Sequence, residues 1–123
     1  MAKYPCELFG HFFYSPALTY EQLHALEAKL WQQSDQILLE AGGMHLDFSP
    51  GEDCLTLQCE FAAYDNQMFE ELSTKLAGLL NPNIELRLVF VNKSSMEKIN
   101  IYFINHNSVD EEEISLGRPT FES

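Results

Sequence analysis

The stretch IELRLVFVNKSSMEKINIYFINH, residues 84–106, contains two apolar-rich runs joined by a short polar turn. In the first run Ile84, Leu86, Leu88 and Phe90 alternate with Glu85, Arg87, Val89 and Val91. Successive side chains of a strand point to opposite faces, so both faces of this strand carry apolar groups. The second run repeats the pattern: Ile99, Ile101 and Phe103 share one face, and Asn100, Tyr102, Ile104 and His106 share the other. A hairpin that is apolar on both sides has one face for its own core and a second face that must meet something else.

The segments before this hairpin supply the layer that covers one of those faces. Cys6 to Tyr14 reads as a strand, with Leu8, Phe12 and Tyr14 on one side and Phe9, His11 and Phe13 on the other. Ser15-Pro16 ends it, and Thr19-Tyr20-Glu21-Gln22 fits a capping box that starts a helix. Leu23, Leu26, Leu30, Ile37 and Ala41 recur at helical spacing, and Gly42-Gly43 supplies the stop. Met44, Leu46 and Phe48 then alternate with His45 and Asp47, and Leu55, Leu57, Cys59 and Phe61 with Thr56, Gln58 and Glu60. With the SPGED turn between them, these form a hairpin with one dry and one wet face. Asp65 or Asn66 caps a second helix whose stripe is Phe69, Leu72, Leu76 and Leu79, ending at Asn81-Pro82.

The resulting order, strand-helix-strand-strand-helix-strand-strand, predicts an α+β fold. It is a ferredoxin-like βαββαβ arrangement with an extra C-terminal strand, two helices on one face of an antiparallel sheet. Right-handed connections give the spatial order fifth, fourth, first, third, second. Residues 1–106 form a single domain on this reading, and 107–123 an acidic, flexible C-terminal tail. The sheet face away from the helices is then open, and Phe9, His11, Phe13, Val89, Val91, Tyr102 and Ile104 are expected on it. An exposed apolar patch of that kind marks an interface, so a homodimer through the sheet is expected. The competing reading has the tail fold back over the face through Ile114, Leu116 and Phe121. A slip of one residue would exchange the two faces.

With 123 residues, 46% of them hydrophobic and 12% aromatic, the chain has the size and composition of one globular domain. Nineteen acidic residues against seven basic ones give a formal charge of −12. The tail from Asn107 carries five acids and one base, so most of the charge belongs to the body. A field of this sign repels phosphate backbones and anionic lipid, which argues against direct nucleic-acid or membrane binding and for a basic protein partner. Cys6, Cys54 and Cys59 have neither a paired count nor zinc-ligand spacing, and no stretch approaches membrane-spanning length. A reducing, cytoplasmic setting with thiols acting as small hydrophobes follows.

Catalytic signatures are missing from the sequence. There is no nucleophile elbow around any serine, and Gly42-Gly43 lacks the pattern of a phosphate loop. No catalytic residue, metal or cofactor is assigned. His45 and Asp47 lie two apart on one wet face, which without a third ligand is ordinary surface chemistry. His11, Tyr102 and Glu60 are the one group that could meet as a proton-transfer site. The acidic segments are more informative: Glu52 and Asp53 at a hairpin tip, Glu70 and Glu71 on the outer side of the second helix, and Asp110, Glu111, Glu112 and Glu113 in one run. The expected function is a non-enzymatic acidic protein that binds, and inhibits or neutralises, a basic partner, in the manner of an immunity factor or nucleic-acid mimic. Two alternatives are a small dimeric enzyme or ligand-binding domain with a pocket at the sheet, and a structural subunit of a larger assembly.

Overall fold

The computed structural model describes residues 4–93 and 98–115. Its elements are β1 (Cys6–Tyr14), α1 (Tyr20–Glu40), β2 (Met44–Pro50), β3 (Cys54–Phe61), α2 (Asn66–Ala77), β4 (Ile84–Asn92), β5 (Lys98–Ile104) and β6 (Val109–Ser115). Two helices pack on one antiparallel sheet of order β2-β3-β1-β4-β5-β6, an α+β fold. The expected order is present, extended by a sixth strand outside β5. Val109–Ser115 therefore belongs to the sheet and not to a tail; Leu116 and Phe121 lie outside the described residues.

Both helices begin where local chemistry directs. The Thr19 hydroxyl accepts from the Gln22 amide at 3.2 Å while the Gln22 side chain accepts from the Thr19 amide at 2.9 Å, so two otherwise orphaned donors at the start of α1 are satisfied. Asp65 caps α2 by accepting from the Gln67 amide at 3.0 Å. Gly42, with φ of 91°, takes the left-handed conformation just past the end of α1, which costs glycine no side-chain clash.

The core lies between helices and sheet. Leu8 and Phe12 of β1, Leu55, Leu57 and Phe61 of β3, and Leu86, Leu88 and Phe90 of β4 turn inward to meet Leu30 and Leu38 of α1 and Phe69, Leu72 and Leu76 of α2. Phe69 stacks on Phe90 with centroids 3.9 Å apart, and Tyr64 and Tyr102 meet those rings edge-on. Trp31, 37% exposed, stacks on Phe48 of β2. Gly10 is required at the centre of β1, because a β-carbon there would stand 2.6 Å from Cγ of Leu57.

Register decides two matters that alternation alone left open. β5 pairs with β4 so that Leu86 faces Ile104, Leu88 faces Tyr102 and Phe90 faces Asn100. Directly opposed residues share a face, so Tyr102 and Ile104 are buried on the helix side, contrary to their expected place on the open face. Burial of the polar groups on that side is possible because they are paired: the Tyr102 hydroxyl donates to Glu111 at 2.5 Å, and Tyr64 donates to Asn100 Oδ1. In β2 the register shifts between Met44 and Asp47, and His45 has φ of 55°. This bulge puts Met44 opposite Glu60, so Met44 is exposed where simple alternation placed it in the dry row.

Candidate functional site

The sheet face away from the helices is organised as rows that cross the strands. The registers align Glu60, Glu7, Val91, Ile99 and Ile114 in one row. The next holds Asp47, Gln58, Phe9, Val89, Ile101 and Glu112. The third holds Ser49, Thr56, His11, Arg87, Phe103 and Asp110. Phe9, His11, Phe13, Val89 and Val91 thus lie on the open face as expected, joined by Ile99, Ile101, Phe103 and Ile114. The face is most apolar along β4 and β5, polar toward β2 and β3, and acidic at β6, where Glu112 and Asp110 end two of the rows. Phe9 and Phe103 are 42% and 40% exposed, large apolar side chains left part-open to solvent on this face.

Where the polar and apolar halves meet, a cleft of about 420 Å³ opens across β2, β3, β1 and β4. Its wall includes the polar side chains of Asp47, Ser49, Thr56, Gln58, His11 and Arg87, and its apolar part is Phe9 and Val89. Some of these polar groups are already held: Gln58 donates to Glu7 at 2.6 Å and Thr56 donates to the Ser49 carbonyl at 3.1 Å. His11 stacks flat on Phe13 with centroids 4.0 Å apart. The Arg87 guanidinium lies over both the Phe13 and Phe103 rings, at 5.3 and 5.5 Å, and makes no ion pair among the described residues. A second recess of about 120 Å³ adjoins it, bounded by Glu85 and Asp110.

The proton-transfer trio considered from the sequence does not assemble. His11 is on the open face, Tyr102 is buried on the opposite side, and Glu60 is engaged by Lys93 and lies 3.5 Å from His45. The Lys93 ammonium beside Glu60 holds its carboxyl below the usual range. Burial pushes the Cys6 and Cys59 thiols up to about 12, which keeps them protonated and unreactive at neutral pH. No group of three His, Cys, Asp or Glu side chains comes together among the described residues. No helix among them is long and apolar enough to cross a membrane.

The acidic residues divide between two edges of the molecule. Glu52 and Asp53 are exposed at the β2–β3 turn. Asp110, Glu111, Glu112 and Glu113 are exposed on β6, four strand spacings from β3, or roughly 19 Å. Asp110 and Glu112 point to the open face, while Glu111 and Glu113 point to the helix side, where α2 packs against β6. The Tyr102 phenol is raised first by burial, then by Glu111 and by Glu70, which places both carboxylates near one ring. Glu70, Glu111 and Glu113 therefore lie on the helix side of the β6 edge and Asp110 and Glu112 on its open side, with Lys98, 3.6 Å from Glu113, as the ion-pair partner among the described residues.

Arg87 and the Asp47–Ser49 wall were not singled out by the sequence. The one available signal was Arg87, a base in the middle of an apolar strand, where Lys93 and Lys98 stand at the turn end of the same hairpin. No family model matches the sequence, and no curated protein matches it. Among solved structures, the chain is similar to the crystal structure of the adenylyl cyclase CyaB from P. aeruginosa. The identity is 14% and the TM-score 0.43, over 90% of this chain and 67% of that one. A likeness of that size carries no argument about activity.

Proposed function

We propose that this chain is a non-enzymatic interaction protein that docks a basic protein through its β6–α2 border and so inhibits or neutralises it. In this reading the first six elements are a ferredoxin-like unit, and β5 and β6 extend its sheet to carry the acidic border. The observation that supports it is the run of Asp110, Glu111, Glu112 and Glu113 along the β6 edge, beside which packs α2, the helix that carries Glu70 and Glu71. Converging charge of one sign steers a complementary partner and fixes its register. Charged edge strands also keep sheets from pairing edge to edge, so a test must separate position from total charge.

Two variants do this. Asp110→Asn/Glu112→Gln and Glu52→Gln/Asp53→Asn each remove two negative charges, but at opposite edges of the sheet. Titrated with a decalysine peptide at low salt, the first variant is expected to bind about fivefold more weakly than the second, on the scale of two exposed charge contacts. Equal weakening of both would mean that only net charge matters and would remove the basis of the docking border.

A further inference from the structure

We propose that the cleft on the open sheet face is a binding site for a small ring-bearing organic anion, held by Arg87 at its charged end and by Phe9 and Val89 beneath its ring. This site calls for a ligand of opposite charge to the partner that docks at the acidic border.

Arg87 is the reason. In a chain of net charge −12, a guanidinium near the centre of an open sheet face would be expected to find a carboxylate. Glu85 and Asp110 border the adjoining recess, yet Arg87 pairs with neither. Its flat cation is instead set between Phe13 and Phe103, which fixes its position while leaving its N–H donors uncommitted among the described residues. A pre-positioned planar donor fork suits a carboxylate, sulfonate or phosphate and loses little side-chain entropy on engaging one.

The surroundings fit the rest of such a ligand. A half-open space of about 420 Å³ is within the range of small-molecule sites. Phe9 is 42% exposed, offering ring area for stacking, and it pairs with Val89 across β1 and β4. His11, in register with Arg87, adds a second flat surface and a hydrogen-bonding nitrogen. On the far wall Asp47 is an acceptor for a hydroxyl or amine. It lies three strand spacings from β4, roughly 14 Å, so a ligand that engages both ends is nucleotide- or dipeptide-sized. A single- or double-ring acid fills the Arg87 half alone.

A matched pair of fluorescent probes tests the site in the full chain. 8-Anilino-1-naphthalenesulfonate carries the anion, and N-phenyl-1-naphthylamine is its neutral counterpart. The sulfonate is expected to bind at one site, more weakly as salt rises. Arg87→Gln should weaken it about tenfold or more while leaving the neutral probe unchanged. Phe9→Ser should weaken both probes, Arg87→Lys should retain part of the sulfonate's advantage, and the distant Lys29→Gln should alter neither. Far-ultraviolet circular dichroism and the melting temperature of each variant verify that its fold is intact. Sulfonate binding that is unaffected by Arg87→Gln overturns the proposal. So does a stable dimer, seen by light scattering, that excludes both probes, because the open face would then be the seat of a second copy of this chain.

Discussion

Gly10 offers the most direct test of how tightly the sheet meets its core. It sits mid-strand in β1, between Leu57 of β3 and Leu88 of β4. A β-carbon added there would stand 2.6, 2.9 and 3.0 Å from Cγ, Cδ1 and Cδ2 of Leu57. Ordinary carbon contacts begin near 3.5 Å, so the leucine must retreat by roughly 1 Å. It cannot do so freely, because Leu57 is itself 3% exposed and packed within the core. Overpacking of this kind costs about 1–3 kcal/mol. Replacing a mid-strand glycine also reduces the entropy of the unfolded chain, worth about 0.5–1 kcal/mol in the other direction. Gly10→Ala is therefore expected to destabilise the fold by about 1 kcal/mol, measured by urea unfolding at 25 °C. Leu57→Ala alone should cost about 2–5 kcal/mol through its cavity. In that background the new methyl group enters space the leucine has left, so adding Gly10→Ala should become neutral or stabilising. The expected signature is a coupling energy of about 1–3 kcal/mol between the two sites. An additive double mutant, or a Gly10→Ala protein as stable as the parent, would refute the claim that β1 carries glycine because of Leu57.

Two further expectations concern buried polar groups. The Ser34 and Ser73 hydroxyls, on α1 and α2, are fully buried and have no hydrogen-bond partner among the described residues; Ser73→Ala should raise stability by about 1 kcal/mol in thermal or urea unfolding, and a loss of that size would show that the hydroxyl has a partner. At high pH, Cys6 and Cys59 are raised from 9.0 to about 12 and Tyr64 from 10.0 to about 12, all chiefly by burial. Because the folded values lie above the unfolded ones, the stability these groups lend is complete below pH 9 and is lost between about pH 9 and 12. Tyrosine ionisation followed at 295 nm should show a fraction that appears only as the chain unfolds, and Cys6→Ala/Cys59→Ala should reduce the steepness of the loss; complete tyrosine titration with the fold intact would contradict the burial of Tyr64.

Much of the fold was legible because it is written in short-range chemistry. The capping box at Thr19 and Gln22 and the Asp65 cap each bring donor and acceptor together within a few residues, so no tertiary information is needed to see them. The order of the first five strands followed from the short connections and their handedness. β6 was missed because VDEEEIS has almost no apolar content; it is a strand because β5 offers a free edge and Tyr102 donates to Glu111. The bulge at His45 was equally hidden, since an extra residue changes register without changing composition. The acidic residues could be named but not grouped, because Glu52–Asp53 and the β6 run lie at opposite edges of a sheet whose width the sequence does not display.

The sequence by itself determined that this protein has two capped helices, a sheet of doubly apolar strands and an excess of carboxylates. Only the tertiary structure decided which side of each strand is covered. Alternation of period two divides a strand into two faces but does not label them, and the label comes from pairing partners far away in the chain. Leu88 opposite Tyr102 turned one row of β5 inward, and Arg87 opposite Phe103 turned the other outward. The same long-range pairing set a lone guanidinium between two phenyl rings at the mouth of a cleft, a juxtaposition of residues 13, 87 and 103 that local pattern cannot express.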